Sequence, residues 1–274
     1  MTLRFGVLAW QIGQPAGVAG YAARLDTQVA MACAAGAELL LMPEYAPLEA
    51  AHRAAPDAFA ELDAACDQAP ALLAAMQDCA RRHRVWLVPG SLPMRLSGGV
   101  VNRAPLIAPD GRVAFQDKRQ LTPWEIAWGF ARGAQVAPFE TPWGRIGIAI
   151  CYDAEFPTLV RAQIEGGAWL VLVPAATDTA AGASRIRIAA RARALENQCF
   201  VAVSPTVGDA PWLATLDASI GRAGVYGPMD HGFPADGIIA EGDGPGWIYA
   251  DLDRGRIDSV RNTGAVRNHR DWPA

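Results

Sequence analysis

The stretch Gly144 to Pro157, GRIGIAICYDAEFP, constrains what this chain can fold into more than any other. Ile146 to Ile150 is a run of β-branched and small apolar side chains, which suits the buried centre of a sheet and predicts a strand ending at Cys151. Asp153 to Pro157 then carries helix-start chemistry: a side-chain acceptor, an acidic first turn and a proline whose missing N–H costs nothing there. A thiol on the turn between a buried strand and a helix N-terminus lies where unpaired backbone N–H groups favour a thiolate and a developing oxyanion. That is a nucleophile's position. A lone cysteine beside an apolar strand is nevertheless most often a small buried hydrophobe, so the rest of the chain has to decide.

Two further strand ends carry charge. Leu3 to Trp10 reads as a first strand, Gln11 to Gly20 as a turn region, and Tyr21 to Ala35 as an Ala-rich amphipathic helix stopped at Gly36. Glu38 to Met42 is a second strand, ended by Pro43 and followed at once by Glu44, an acid whose burial would demand a partner. Ala58 to Arg84 reads as one or two helices with a break at Pro70, and Val85 to Pro89 as a strand. Asp110-Gly111 between apolar runs predicts a hairpin of Val100 to Pro109 with Arg112 to Gln116, and Lys118 follows its second arm. The next segment, LTPWEIAWGF, reads as an aromatic loop that packs over something, with Trp124 and Trp128 as core or as pocket wall.

Beyond the central strand and its helix, Trp169 to Val173 and Phe200 to Ser204 read as buried strands. Between them Ser184 to Gln198 is a helix whose Arg185, Arg187 and Arg191 fit a solvated face. Gly224 to Tyr226 and Trp247 to Asp251 are short strands among turns. Gly242, Gly244 and Gly246 lack a following helix, so they are turn residues and not a phosphate cradle.

Composition narrows the classes. With 274 residues, 51% of them hydrophobic, the chain can bury a large core, and with no polar linker it reads as a single domain over 1–274. The balance of 24 basic against 28 acidic residues, with no polybasic run, argues against nucleic acid and anionic membrane as partners. No apolar run reaches membrane-spanning length and the first residues do not read as a leader, so a soluble, cytoplasmic protein is expected. Five scattered cysteines give no disulfide framework, and four histidines (His52, His83, His231, His269) off zinc-ligand spacing give no metal site.

Glu44, Lys118 and Cys151 each follow a strand, and reactive groups in α/β proteins gather at the carboxyl ends of strands. LMPE with Glu44, QDKRQLTPWE with Lys118 and Glu125, and GIAICYDAEFP with Cys151 resemble the three signature segments of the nitrilase superfamily, the carbon–nitrogen hydrolases. RALEN (Arg193 to Asn197) and the tail after Tyr226 extend the likeness over nearly the whole chain. The resemblance implies a four-layer α-β-β-α sandwich, no cofactor, a small-molecule amide-type substrate and a homodimer or higher oligomer paired through helices.

It also implies roles. A free thiol of pKa about 8.5 is only about 3% ionised at neutral pH, so Glu44 is expected as general base for Cys151. Lys118 and the backbone N–H of Tyr152 would face the tetrahedral oxyanion. Glu125 would orient Lys118 or assist the leaving group, while Arg193, Glu196 and Asn197 would bond structurally near the site or serve an interface. Pocket walls are expected from Tyr45 after Glu44, from Trp124 and Trp128, from Phe156, and from Ala175 and Ala176. Tyr152-Asp153 after the cysteine is the pairing of amide- and carbamoyl-cleaving relatives, whereas nitrile-cleaving ones carry tryptophan and glutamate. Nitrile hydrolysis on the same triad is the alternative within the family; a Cys–His hydrolase using His231 or His269, and a non-catalytic binding relative, are the alternatives outside it.

Overall fold

The computed structural model describes residues 2–51, 57–134 and 137–272, so His52 lies outside the described residues. In the first half, β1 (Thr2–Gln11), α1 (Gly17–Ala34) and β2 (Leu39–Leu41) precede α2 (Ala58–His83), β3 (Trp86–Val88), β4 (Leu92–Leu96), β5 (Gly99–Ile107), β6 (Val113–Asp117) and the short α3 (Pro123–Ala127). The second half runs β7 (Phe139–Thr141), β8 (Gly144–Ile148), α4 (Pro157–Glu165), β9 (Leu170–Ala175), α5 (Ala180–Asn197) and β10 (Phe200–Asp209). It ends in β11 (Ala218–Ser219), β12 (Gly224–Tyr226), β13 (Ile238–Glu241), β14 (Gly246–Asp253) and α6 (Arg254–Thr263).

Two sheets arise from the two halves. In one, β1 lies between β14, antiparallel, and β2, parallel, with β3, β5 and the flanking β4 and β6 beyond. In the other, β8, β9 and β10 run parallel, bordered by β7 and β12. They meet where the end of β1 pairs with β10 through Trp10–Thr206 and Gln11–Val207. The two-residue period of a strand then sorts side chains into layers. Phe5, Val7, Leu39 and Leu41 enter the core between the sheets with Val171, Val173, Val201 and Val203. Their neighbours Leu8 and Leu40 turn outward to Tyr21, Leu25 and Val29 of α1 and Leu72 and Met76 of α2. Ile186 and Ala190 of α5 and Val160 of α4 cover the second sheet. The result is the expected α-β-β-α sandwich.

Some elements differ from the sequence reading. Helix α2 runs unbroken through Pro70, which sits on the exposed face where a freed carbonyl can be hydrated, while Leu62, Leu72 and Met76 bury the opposite face. Helix α1 starts at Gly17, four residues early, because Val18 already packs on the outer core. Strand β10 extends past Ser204 to Asp209, and α6 is an element the sequence reading lacks; it is capped by Asp253 and held by buried Ile257 and Val260. The Asp110-Gly111 hairpin forms as read, with Gly111 at φ +85° and Ile107 opposite Val113.

Candidate active site

Glu44 lies three residues beyond β2 and Ser91 makes an isolated bridge to it. Gly90, at φ +96°, permits this approach, since a Cβ there would collide with the Pro43 carbonyl. Lys118 directly follows β6, its backbone N–H donating to the Asn102 carbonyl at 2.8 Å. Cys151 lies just past β8. These separate segments converge: Lys118 Nζ is 2.8 Å from Glu44 Oε1 and 2.9 Å from Glu125. The Cys151 thiol donates to the Ala176 carbonyl at 3.5 Å and is in side-chain hydrogen-bonding range of Glu44. All four side chains are buried, with Glu44 and Lys118 each 1% exposed.

Two carboxylates share one ammonium group, and their surroundings separate them. Glu44 Oε1 also accepts from Asn102 Nδ2 at 2.8 Å, and Oε2 from the Ala176 N–H at 3.0 Å. Burial nevertheless outweighs Lys118 and holds the Glu44 carboxyl above its usual range, with Glu125 adding to the rise. Burial also opposes charge on Glu125, but Lys118, the Thr122 backbone N–H and the Tyr45 hydroxyl outweigh it and keep this group low. Burial would discharge Lys118, yet Glu44 and Glu125 more than compensate and hold its pKa well above the ordinary value. Glu44 is thus the member that can exchange a proton, and Lys118 a fixed cation.

Glu125 also serves the backbone. Its Oε2 accepts from the Thr122 N–H at 2.8 Å, capping α3, while its Oε1 accepts from Tyr45 Oη at 2.7 Å. It therefore fixes α3, Lys118 and Tyr45 together. Tyr45 and Cys151 are both held at positive φ, +59° and +45°; the other described non-glycine residues of that kind, Arg84 and Gln198, merely cap helices.

The turn bearing Cys151 departs from expectation. Cys151–Glu155 is a short 3₁₀ turn, and α4 begins only at Pro157, so the thiol does not sit on an α-helix N-terminus. Burial, and then Glu44, push the Cys151 thiol well above its ordinary pKa, the opposite of a pre-formed thiolate. Asp153 does not start the helix either. Its buried carboxylate accepts from the backbone N–H of Gln120 at 2.7 Å and of Arg119 at 3.1 Å, tying the turn to the segment after Lys118. Burial outweighs those bonds and moves its pKa up to about 6. Arg193, 7% exposed, donates to the Ala154 carbonyl at 3.3 Å, a structural contact three residues past the thiol, and Asn197 Nδ2 returns to the Arg193 carbonyl at 3.0 Å.

A cavity of about 460 Å³ opens at Cys151, and Tyr45, Trp124, Trp128, Tyr152 and Ala176 line it. Phe156 and Ala175 do not: the Phe156 ring packs edge-on against Tyr152 at 4.9 Å, and Ala175 ends β9 against a neighbouring cavity with Pro205. Tyr45 is committed to Glu125, so it offers a ring and not a free hydroxyl. No imidazole among the described residues lines this cavity; His231 lies in an exposed loop and His269 packs by Arg261 and Arg161. Arg187 is bound through Nε and Nη2 to Glu241 and is not merely solvated. Far from the cavity, Asp26 of α1 meets Cys79 and His83 of α2 within 4.8 Å, a grouping that linear histidine spacing does not show; Arg82 pairs with the same carboxylate.

Asn102, Asp153 and the Ala176 N–H are the site members that sequence reasoning missed. Asn102 carries a faint signal, a polar residue inside the apolar run VVNRAPLI; a backbone donor such as Ala176 carries none.

Known proteins resemble this chain over most of its length. Residues 9–262 match the family described as carbon-nitrogen hydrolase. The probable hydrolase YhcX of Bacillus subtilis is 35% identical over 198 residues, 71% of this chain but 38% of that protein, so the chain spans well under half of that relative. Omega-amidase NIT2 of Danio rerio is 26% identical over 206 residues, 68% of each chain. Among solved structures, a glutamate-to-glutamine mutant of the amidase from Nesterenkonia sp. AN1, showing covalent addition of the acetamide moiety of fluoroacetamide at its active-site cysteine, superposes with a TM-score of 0.74 at 27% identity, covering 99% of this chain and 97% of that one.

Proposed function

The chain belongs to the carbon-nitrogen hydrolase family, and from that membership we propose that it cleaves an amide or carbamoyl C–N bond of a small molecule through a thioester on Cys151. Glu44 takes the thiol proton as sulfur attacks the carbonyl carbon, which answers the raised pKa of the thiol: ionisation is coupled to attack and not stored beforehand. The carbonyl oxygen becomes an oxyanion beside Lys118 Nζ and the Tyr152 N–H. Glu44 returns its proton to the departing nitrogen, and ammonia or an amine leaves with the C–N electron pair. Water then gives a proton to Glu44 and adds to the thioester, and the carboxylic acid departs as the thiol is restored. Glu125 holds Lys118 in place and takes no proton in this scheme, in keeping with its low pKa.

The observation that carries the reading is the meeting of Lys118 and Glu44 at 2.8 Å beside a buried cysteine at positive φ. The acetamide adduct on the Nesterenkonia amidase cysteine supports it by likeness. An ammonia-release screen over ω-amides, N-carbamoyl amino acids, aliphatic amides and nitriles, with Cys151→Ala as the blank, tests it. Release from an amide or carbamoyl compound, with a matching acyl mass on the Cys151 peptide, is the expected result; release from nitriles alone moves the reading to the other branch, and no release from any compound refutes it. Two copies are also proposed to pair through the helical layer, where α5 exposes Ile188 and Leu195; sedimentation measures the mass.

A further inference from the structure

The cavity at Cys151 is charged unevenly. Glu155, Asp178 and Asp217 line it, against Arg185 as its one basic lining residue among those described. Arg185 already has an acidic neighbour and faces mostly outward: its Nε is 3.4 Å from Glu155 Oε1, and 62% of its side chain is in solvent, where its charge is screened. Neither Asp178 nor Asp217 meets a basic side chain among the described residues, although Asp217 accepts the Ala218 N–H at 2.9 Å. Beneath them, Lys118 already serves two carboxylates. A negative ligand group entering here would meet like charge across a partly desolvated space, where the repulsion is stronger than in water.

Other features of the lining ask for a polar, cationic ligand group. Ser219 is only 5% exposed, lines the cavity, and its hydroxyl meets no partner among the described residues. A buried hydroxyl without a partner costs free energy that a donor from a ligand removes. The same cavity is lined by the indoles of Trp124 and Trp128, with ring centroids 4.4 Å apart, and indole faces attract a cation and repel a carboxylate.

Resting on the hydrolase reading above, we infer that the substrate is an amide bearing a protonated amine away from the scissile carbon, held by Asp178, Asp217 and Ser219. A carboxylate-bearing amide, the class that an arginine in the cavity would suggest, is disfavoured. Arg185, beside Glu155 and largely in solvent, offsets one of the three acids and leaves the lining net negative. The 460 Å³ cavity has room for a short chain between the two ends of such a molecule.

The test compares three amides of matched length, 5-aminopentanamide, hexanamide and glutaramate, by kcat/KM at low and high salt. The cation should exceed the anion by about a hundredfold, with the neutral amide between them and the spread narrowing as salt rises. Asp178→Asn with Asp217→Asn should narrow it further, and Ser219→Ala should lower kcat/KM for the cationic amide most. A glutaramate rate equal to or above that of the amine, or a spread untouched by the double variant, overturns the inference. A second measurement does not need turnover: the rate at which ammonium-ethyl, methyl and sulfonatoethyl methanethiosulfonates modify Cys151, each relative to 2-mercaptoethanol. Faster labelling by the ammonium reagent, lost in the double variant, upholds the charge preference even if no amide is hydrolysed, an outcome that would sink the hydrolase reading alone. Faster labelling by the sulfonate sinks the charge preference itself.

Discussion

The side-chain amide of Asn102 donates to Glu44 Oε1 at 2.8 Å while its own carbonyl oxygen stays buried without a partner among the described residues. The same nitrogen reaches Glu125 at 3.2 Å, so turning the amide over would point an oxygen at two carboxylates. The orphaned acceptor is the cost of supplying both acids. Asn102→Leu keeps the volume and removes the donor. Losing a bond to a charged acceptor is worth about 2 kcal/mol, so kcat/KM should fall on the order of thirtyfold. Because the lost bond favoured ionised Glu44, the acid limb of the pH–rate profile should move to higher pH. An unmoved limb would separate Asn102 from the proton transfer.

Glu125→Gln distinguishes the two duties of that residue. Glutamine still offers an oxygen to the Thr122 N–H, so unfolding by urea should shift by no more than about 1 kcal/mol. Its NH₂ would face Lys118 and Tyr45, where donors already point. A loss of about tenfold or more in kcat, with a smaller change in KM, is expected.

Asp153 gives a stability prediction whose sign runs against habit. Its folded pKa of about 6 lies above the ordinary value of 3.8, so the folded protein holds more protons between those values, and its stability falls as pH rises through that window. Between about pH 5 and about pH 7.5 this group should remove about 1.4 kcal/mol. Asp153→Asn does not titrate. Its unfolding free energy relative to wild type, from urea curves, should therefore improve by that amount from the lower to the higher pH; a pH-independent difference would contradict the assignment.

Cys151 should react before the buried Cys79 and Cys199 even though its thiol is not acidic. Cys79 and Cys199 are held near pKa 12 by burial, and Cys199 is fully enclosed, whereas Cys151 faces a cavity with Glu44 in hydrogen-bonding range. One equivalent of iodoacetamide should place its label on the Cys151 peptide by mass spectrometry. Glu44→Gln should slow that labelling by about tenfold or more, since the proton then has no acceptor.

What the sequence reveals and hides follows from where information sits. Glu44, Lys118 and Cys151 are legible because each interrupts or ends an apolar strand, and a charge at such a place needs a reason. Pro70 misleads because proline's local cost is real but small beside the buried face of α2. The helix-start residues from Asp153 to Pro157 are read correctly as chemistry and wrongly as position: proline fixes the start of α4, while Asp153 spends its oxygens on Arg119 and Gln120, more than thirty residues upstream. Asn102 becomes visible only when β5 is folded beside the segment after β2, and the Ala176 N–H only when the two halves are side by side.

Glu44 and Lys118 descend from one sheet and Cys151 from the other, and the Ala176 N–H reaches Glu44 across that division. Neither layer by itself can be chemically competent. Competence should return during refolding only after the halves have docked, so acylation of Cys151 would act as a clock for the last stage of assembly, ticking later than any spectroscopic sign of strands or helices.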